Sequence, residues 1–296
     1  MAKFRLSAFA DEADSNLSGQ IEALQQAGIG MVELRGVNGK NVSTLTEEEA
    51  KEAKKMLDEG GIAVSSVGSP YGKIQITDDF APHLELFKKG MNLTKILGAQ
   101  HVRMFSFFIP AGEEPEKYRD EVFARLEKMV AAAREEGVQL LHENEKGIYG
   151  DTDDRCLEIL KEFSGRILGV FDPANFLQCK VKPAEAMGKL KDYIAYMHIK
   201  DAIFADGSVV PCGMGDGSLP EILDIMAKRA DGMVLSIEPH LTVFDGLKGL
   251  QDEEVKHKFV YESNRAAFAA AADALKETLK KIGFGPLEGS KGTWIK

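Results

Sequence analysis

Cysteine is scarce in this 296-residue chain: Cys156, Cys179 and Cys212 are odd in number and show no CxxC spacing. That excludes a disulfide framework and points to reduced thiols in the cytosol. Long hydrophobic runs are absent as well. None approaches the ~18 apolar residues of a membrane span, so no membrane partner is expected. The opening MAKFRLSAFADEADS turns acidic before a secretory hydrophobic region can form, and no signal peptide is expected. A basic excess is also missing. The 37 Lys and Arg stand against 47 Asp and Glu, giving a net charge of −10, the wrong sign for a nucleic-acid surface. No Pro- or Ser-rich linker divides the chain, and no charge block marks a tail. What remains, 44% hydrophobic and 28% charged, is the composition of a folded chain long enough for one large α/β domain or two small ones.

Eight short apolar segments recur, at 4–8, 30–34, 62–67, 101–105, 138–142, 167–171, 194–199 and 232–237. Each is rich in Val, Ile, Leu, Phe or Met and brief enough to be a strand buried on both faces. Helical patterns lie between them. At 45–57, Thr46 precedes Glu47, Glu48 and Glu49, an N-cap followed by charges suited to the helix dipole, and Gly60–Gly61 closes the segment. At 115–136, Val122, Leu126, Met129, Val130 and Ala133 fall at helical spacing and Gly137 ends the run. Strands alternating with helices in one phase predict a closed (β/α)₈ barrel over residues 1–283, with a C-terminal tail at 284–296. A doubly wound open sheet is the alternative. The stretch 202–219 reads as one long irregular loop, and 255–282 as a long Ala-rich final helix. Trp294 suggests that the tail docks on a neighbouring surface, and with the final helix it leaves a homo-oligomer open.

The strand ends carry the chemistry. Strand five ends in His142-Glu143-Asn144-Glu145, strand six in Phe171-Asp172-Pro173-Ala174-Asn175, strand seven in His198-Ile199-Lys200-Asp201 and strand eight in Glu238-Pro239-His240. In a barrel those C-terminal ends are adjacent and converge on the axis. Glu143, Asp172, His198 and Glu238 would then form three carboxylates and one imidazole, which cannot all stay ionised without a compensating cation. Mostly oxygen ligands with one nitrogen suit Mn²⁺ or Mg²⁺, with Zn²⁺ or Co²⁺ as alternatives. Singly, each residue has a plain structural explanation: a hydrogen-bonded core histidine, a salt-bridged glutamate, an aspartate opening a turn.

The segments HENEKGIYGDT, FDPANF, YMHIKD, GDGSLP and LSIEP resemble those of the sugar phosphate isomerase/epimerase family, the xylose isomerase-like barrels, from Leu6 to about His240. The resemblance implies a (β/α)₈ barrel holding one divalent metal through Glu143, Asp172, His198 and Glu238. It also implies that Glu143 and Glu238 move a proton next to a carbonyl polarised by that metal, with a keto-sugar, sugar phosphate or related polyol as substrate. A plainer arrangement has both glutamates only holding the metal while water, Lys200 or His240 handles protons. Three positions depart from the family's ketose 3-epimerases: Asn175 replaces a histidine, Phe204 an arginine and Tyr149 a glutamate. A different sugar or polyol derivative is the expectation. The alternatives are an inosose-type dehydratase acting on a keto-polyol and a non-catalytic sugar-binding protein. The family's DNA-repair endonuclease branch binds three zinc ions with extra histidines, one of them at the strand-six position where this chain has Asn175; with only six histidines and a net charge of −10, that branch is not expected.

Further candidates surround the cluster. Lys200 alternates with His198 and is expected to point inward for a phosphate or hydroxyl contact, oriented by Asp201. Arg35, His240 and Asn175 are candidate substrate contacts, Asn175 as a neutral amide. Glu33 is either a substrate contact or a barrel ion pair. Phe105, with Phe9, Phe107 and Phe108, is a candidate pocket wall. His142 alternates away from the axis. Gly213 to Gly217 lack the GxGxxG spacing, so they read as a flexible loop before a helix at Leu219 rather than a phosphate cradle.

Overall fold

The computed structural model describes residues 2–229, 232–243 and 259–296. Eight parallel strands form the centre: β1 (Lys3–Ala8), β2 (Met31–Leu34), β3 (Ala63–Gly68), β4 (His101–Met104), β5 (Gln139–Glu143), β6 (Ile167–Phe171), β7 (Ile194–Ile199) and β8 (Met233–Ile237). They pair in the order β1-β8-β7-β6-β5-β4-β3-β2, and β1 lies against β2 to complete the ring. All eight fall within one or two residues of the apolar segments read from the sequence, because runs buried on both faces leave few other solutions. The closed barrel is the fold.

Helices α1 (Leu17–Gln26), α2 (Glu47–Glu59), α3 (Phe80–Ile96), α4 (Arg119–Glu135), α5 (Asp153–Glu162), α6 (Pro173–Gln178), α7 (Pro183–Leu190), α8 (Leu219–Met226) and α9 (Asn264–Lys281) connect the strands or follow them. Thr46 caps α2 in a full capping box with Glu49, which satisfies two backbone donors at once. The apolar layer between helices and strands includes Phe87, Met91, Leu126, Met129, Ile159, Leu223, Leu275 and Leu279, all fully buried.

Three expectations change. The final helix starts at Asn264, where Ser263 accepts a hydrogen bond from the Ala266 N–H; the part of the 255–282 reading before residue 259 lies outside the described residues. The segment read as a tail adds strands to the sheet. Thr293–Ile295 runs antiparallel to β1, with Trp294 opposite Phe4, and Gly285–Pro286 pairs outside it. Trp294 therefore docks within its own chain, where it is buried. The loop at 202–219 is ordered too: Asp201–Ala202 pairs with Val209–Val210, and α8 begins at Leu219. Among the described residues no helix is long and apolar enough to cross a membrane.

Candidate metal centre

Two-residue periodicity on four consecutive strands builds the site. Leu141, Val170, Tyr196 and Val234 form an apolar cluster of their own. Glu143, Asp172 and His198 follow the first three by two residues, and Glu238 follows Val234 by four, so each shares the face of its partner. All four are buried, and one ligand atom from each lies within 4.8 Å of the others. His198 Nδ1 faces Glu143 Oε1 at 3.0 Å, Glu238 Oε2 at 3.5 Å and Asp172 Oδ2 at 3.9 Å.

Each carboxylate divides its two oxygens between the cluster and the scaffold. Glu143 turns Oε1 toward His198 and accepts a hydrogen bond from Arg103 Nη1 on Oε2 at 3.0 Å. Glu238 turns Oε2 toward His198 and Lys200, while Oε1 lies 3.4 Å from Arg35 Nη1 and 3.3 Å from His240 Nε2. Asp172 caps α6 with Oδ1, which accepts from the Asn175 N–H at 2.9 Å. Its Oδ2 lies 2.9 Å from Lys200 Nζ. Turn opener and cluster member, alternatives in the sequence, are the two oxygens of one side chain.

The charges respond as burial and neighbours dictate. Burial raises the Glu143 carboxyl, but the positive charges of His198 and Arg103 overcome it and bring the group down to about 2. Glu238 is likewise held well below the ordinary range, Lys200 and His240 outweighing burial. Asp172 goes the other way, up to about 7, because burial and the charges of Glu238 and Glu143 outweigh Lys200. Burial lowers His198, yet Glu143 and Glu33 hold it well above its usual value. The residues fit a divalent ion. The donor set is three carboxylates and one imidazole, it carries more negative charge than it can keep ionised, and Asp172 Oδ2 accepts no hydrogen bond of regular geometry.

The other candidates fall into place around these four. Lys200 points inward and bridges Asp172 Oδ2 and Glu238 Oε2, 2.9 Å from each. Asn175 Nδ2 donates to Glu143 Oε1 at 3.2 Å and to the Asn144 carbonyl at 2.9 Å. Arg35 is turned to Asp11, Glu12 and Glu238 and stacks on Phe9, 4.4 Å from the ring centre. His240, at φ 44°, donates its backbone N–H to Glu12 Oε2 at 2.6 Å. Phe105 is fully buried beneath Lys73 and Arg103. Phe204 is partly exposed beside Lys180, and the Tyr149 hydroxyl donates to Glu158 on α5. Neither reaches the four-residue cluster.

Asp201 does not orient Lys200. Its carboxylate accepts from the N–H groups of Ala202, Gly213, Gly215 and Gly217 at 2.9 to 3.0 Å. The glycine loop is thus an anion cradle already filled by the chain's own aspartate. A Cβ on Gly215 would stand 2.4 Å from Asp201 Oδ1, and one on Gly217 2.6 Å. One site residue and one pairing lie beyond the sequence reading. The residue is Arg103, which precedes Phe105 by two and so shares its inward face, the one signal for it in the sequence. The pairing is that of Glu33 with His198, whose Nε2 lies 3.1 and 3.3 Å from the two Glu33 oxygens.

A family model described as xylose isomerase-like TIM barrel matches residues 21–282. The chain belongs to that family. Solved structures of similar fold span nearly all of it. The probable 3-DHS dehydratase AsbF of Bacillus anthracis, involved in petrobactin synthesis, is 16% identical with a TM-score of 0.70, covering 93% of this chain and 99% of that one. A D-tagatose 3-epimerase-like protein is 18% identical with a TM-score of 0.72, covering 94% and 98%. The IolI protein with a bound zinc atom is 15% identical with a TM-score of 0.71, covering 94% and 99%. No curated protein sequence matches the chain significantly. Within the xylose isomerase-like family, identities this low convey the fold and leave the reaction to the site.

Proposed function

We propose that this protein is a divalent-metal-dependent isomerase or epimerase acting on a keto-sugar, a sugar phosphate or a related polyol. The observation that carries the reading is the matched division of Glu143 and Glu238, each with one oxygen in the cluster and the other beside an arginine. Glu143, Asp172, His198 and Glu238 would hold the ion, Mn²⁺ being favoured by three oxygen donors and one nitrogen, with Mg²⁺, Co²⁺ or Zn²⁺ as alternatives. The zinc atom of the IolI protein supports a divalent ion in this fold. Bound there, the ion supplies Lewis acidity that lowers the pKa of a C–H beside a substrate carbonyl.

Glu143 and Glu238 do the proton work. His198 and Arg103 keep Glu143 ionised, and Lys200 and His240 keep Glu238 ionised, so each arrives able to accept a proton. One takes the proton from carbon. The other, after taking a proton from solvent, returns it to the opposite face for epimerisation or to the neighbouring carbon for isomerisation, and the first sheds its own to solvent. Each positioned group contributes about 10²–10⁴-fold. A small sugar-like substrate is supported by the D-tagatose 3-epimerase-like relative, and the free thiols of Cys156, Cys179 and Cys212 support a reducing, cytoplasmic compartment.

One observation favours a second reading. Lys200 is a buried ammonium beside Glu238, well placed to protonate a departing hydroxyl, which suits an inosose-type dehydratase. The test is a panel of keto-sugars, sugar phosphates and inososes incubated with Mn²⁺ in D₂O. Deuterium incorporation without loss of water supports the isomerase or epimerase. Loss of water with a new enone replaces it with the dehydratase, and tight binding with neither result replaces it with a non-catalytic binder.

A further inference from the structure

Glu33 is a buried carboxylate with one job still open. Its side chain has no exposed surface, and among the described residues only His198 donates a hydrogen bond to it. The strand around it is built to aim it. β2 and β3 run in step through Val32↔Val64 and resume at Glu33↔Ser66, so Ser65 is an extra residue on β3. Such a bulge turns the local side chains out of register with the strand below. Ser65 also repairs the ladder it interrupts, lying with Oγ 3.0 Å from the Val32 carbonyl and 2.8 Å from Tyr196 Oη.

His198 Nε2 faces both Glu33 oxygens at 3.1 and 3.3 Å, which makes it the ring nitrogen that carries a hydrogen toward Glu33. With Nε2 keeping its hydrogen, Nδ1 is the nitrogen whose proton a bound cation would displace, and Nδ1 is the atom turned to Glu143, Asp172 and Glu238. We propose that Glu33 is a positioning residue for the metal centre: set by the β3 bulge, its carboxylate fixes the His198 ring and tautomer so that Nδ1 faces the ion. This rests on the metal-dependent reading above. A carboxylate behind a ligating histidine also strengthens the histidine as a donor, and losing it typically costs 10–100-fold in metal affinity.

The experiment measures Mn²⁺ affinity of the full chain by chelator competition, and the protonation of His198 by ¹⁵N NMR in the Zn²⁺-loaded protein. The expected wild-type signature is a slowly exchanging hydrogen on Nε2. Glu33→Leu should weaken Mn²⁺ binding about 10–100-fold and abolish the slow exchange. Glu33→Gln, which retains an acceptor of nearly the same shape, should show a smaller loss of affinity and secures the comparison if the leucine variant does not fold. A hydrogen on Nδ1 in the loaded wild type, or Mn²⁺ affinity within twofold of wild type in the folded Glu33→Gln and Glu33→Leu proteins, overturns the proposal alone. Wild-type protein that takes up neither ion overturns the metal-dependent reading and this inference with it.

Discussion

Arg103 and Glu143 form a fully buried ion pair, Nη1 to Oε2 at 3.0 Å, and that carboxylate is the only hydrogen-bond acceptor the guanidinium has among the described residues. The rest of the cation is stabilised by ring faces, with Cζ 4.6 Å from the centre of Phe105 and 5.5 Å from that of Phe9. Arg103 therefore spends its directional bonding on one oxygen of a site glutamate. That leaves the other oxygen free for the cluster.

Arg103→Leu should be strongly destabilising because it strands a buried carboxylate. Removing one partner of such a pair costs about 3–5 kcal/mol. Urea denaturation with chelator present measures it, and the double variant Arg103→Leu/Glu143→Gln should recover a large part of the loss. A double variant no more stable than Arg103→Leu would show that the cost lies in lost packing rather than stranded charge.

Asp201→Ala should unlatch the loop between β7 and α8. Four backbone N–H groups lose their acceptor at once, and hydrogen bonds to a charged group are worth about 1.5–3 kcal/mol each. Faster proteolytic cutting within 203–217 is expected, with a lowered melting temperature. Gly215→Ala should act similarly, since its Cβ would meet both Asp201 Oδ1 and the Ala202 carbonyl within 2.5 Å. Wild-type protease resistance in both variants would mean that Asp201 does not hold this loop.

His142 makes stability depend on pH. Its Nε2 lies 3.0 Å from Ser106 Oγ, which accepts the Gly150 N–H and so has its own hydrogen to donate to a neutral ring. Burial pushes the imidazole from 6.5 down to about 4, against the pull of Glu143. The folded value lies below the unfolded one, so this contribution is complete above the unfolded value and is lost as pH falls toward the folded one. The total is about 3 kcal/mol at one unit per ~1.4 kcal/mol. Denaturation of wild type and His142→Gln at pH 7 and pH 4.5, with chelator, should show the wild type losing more on acidification. Parallel losses would remove His142 as the cause.

The strands and the four-residue cluster were legible because both follow from period-two placement of residues on buried runs. The partners were not. Every inward residue on β2 and β4 looks alike in sequence, and Glu33 meets His198 only because β3 carries an extra residue at Ser65. A second register shift, between Gly169 and Val170 on β6, changes the step of β7 relative to its neighbour, and no local pattern announces it. Asp201 captures N–H groups 12, 14 and 16 residues downstream, where turn propensity sees only flexible glycine. The strand at Thr293–Ile295 pairs with the first strand of the chain, a contact beyond any local signal.

Asn175 supplies the sharpest separation between a scaffold role and a site role. The α6 cap is made by its backbone N–H on Asp172 Oδ1, and alanine keeps that N–H. Its side chain does something else: Nδ2 donates to Glu143 Oε1, the oxygen facing His198, and to the Asn144 carbonyl. Asn175→Ala therefore keeps the helix cap and should lower the melting temperature less than Asp172→Ala does. It should lower kcat/KM by about 1–3 kcal/mol, the cost of leaving buried acceptors short of a donor. Mn²⁺ affinity should fall as well, because Glu143 Oε1 loses the amide that fixes it. Steady-state kinetics on the substrate found in the D₂O panel, with Mn²⁺ titration of the same variant, measure both effects. Unchanged kinetics and unchanged affinity together would confine Asn175 to the cap.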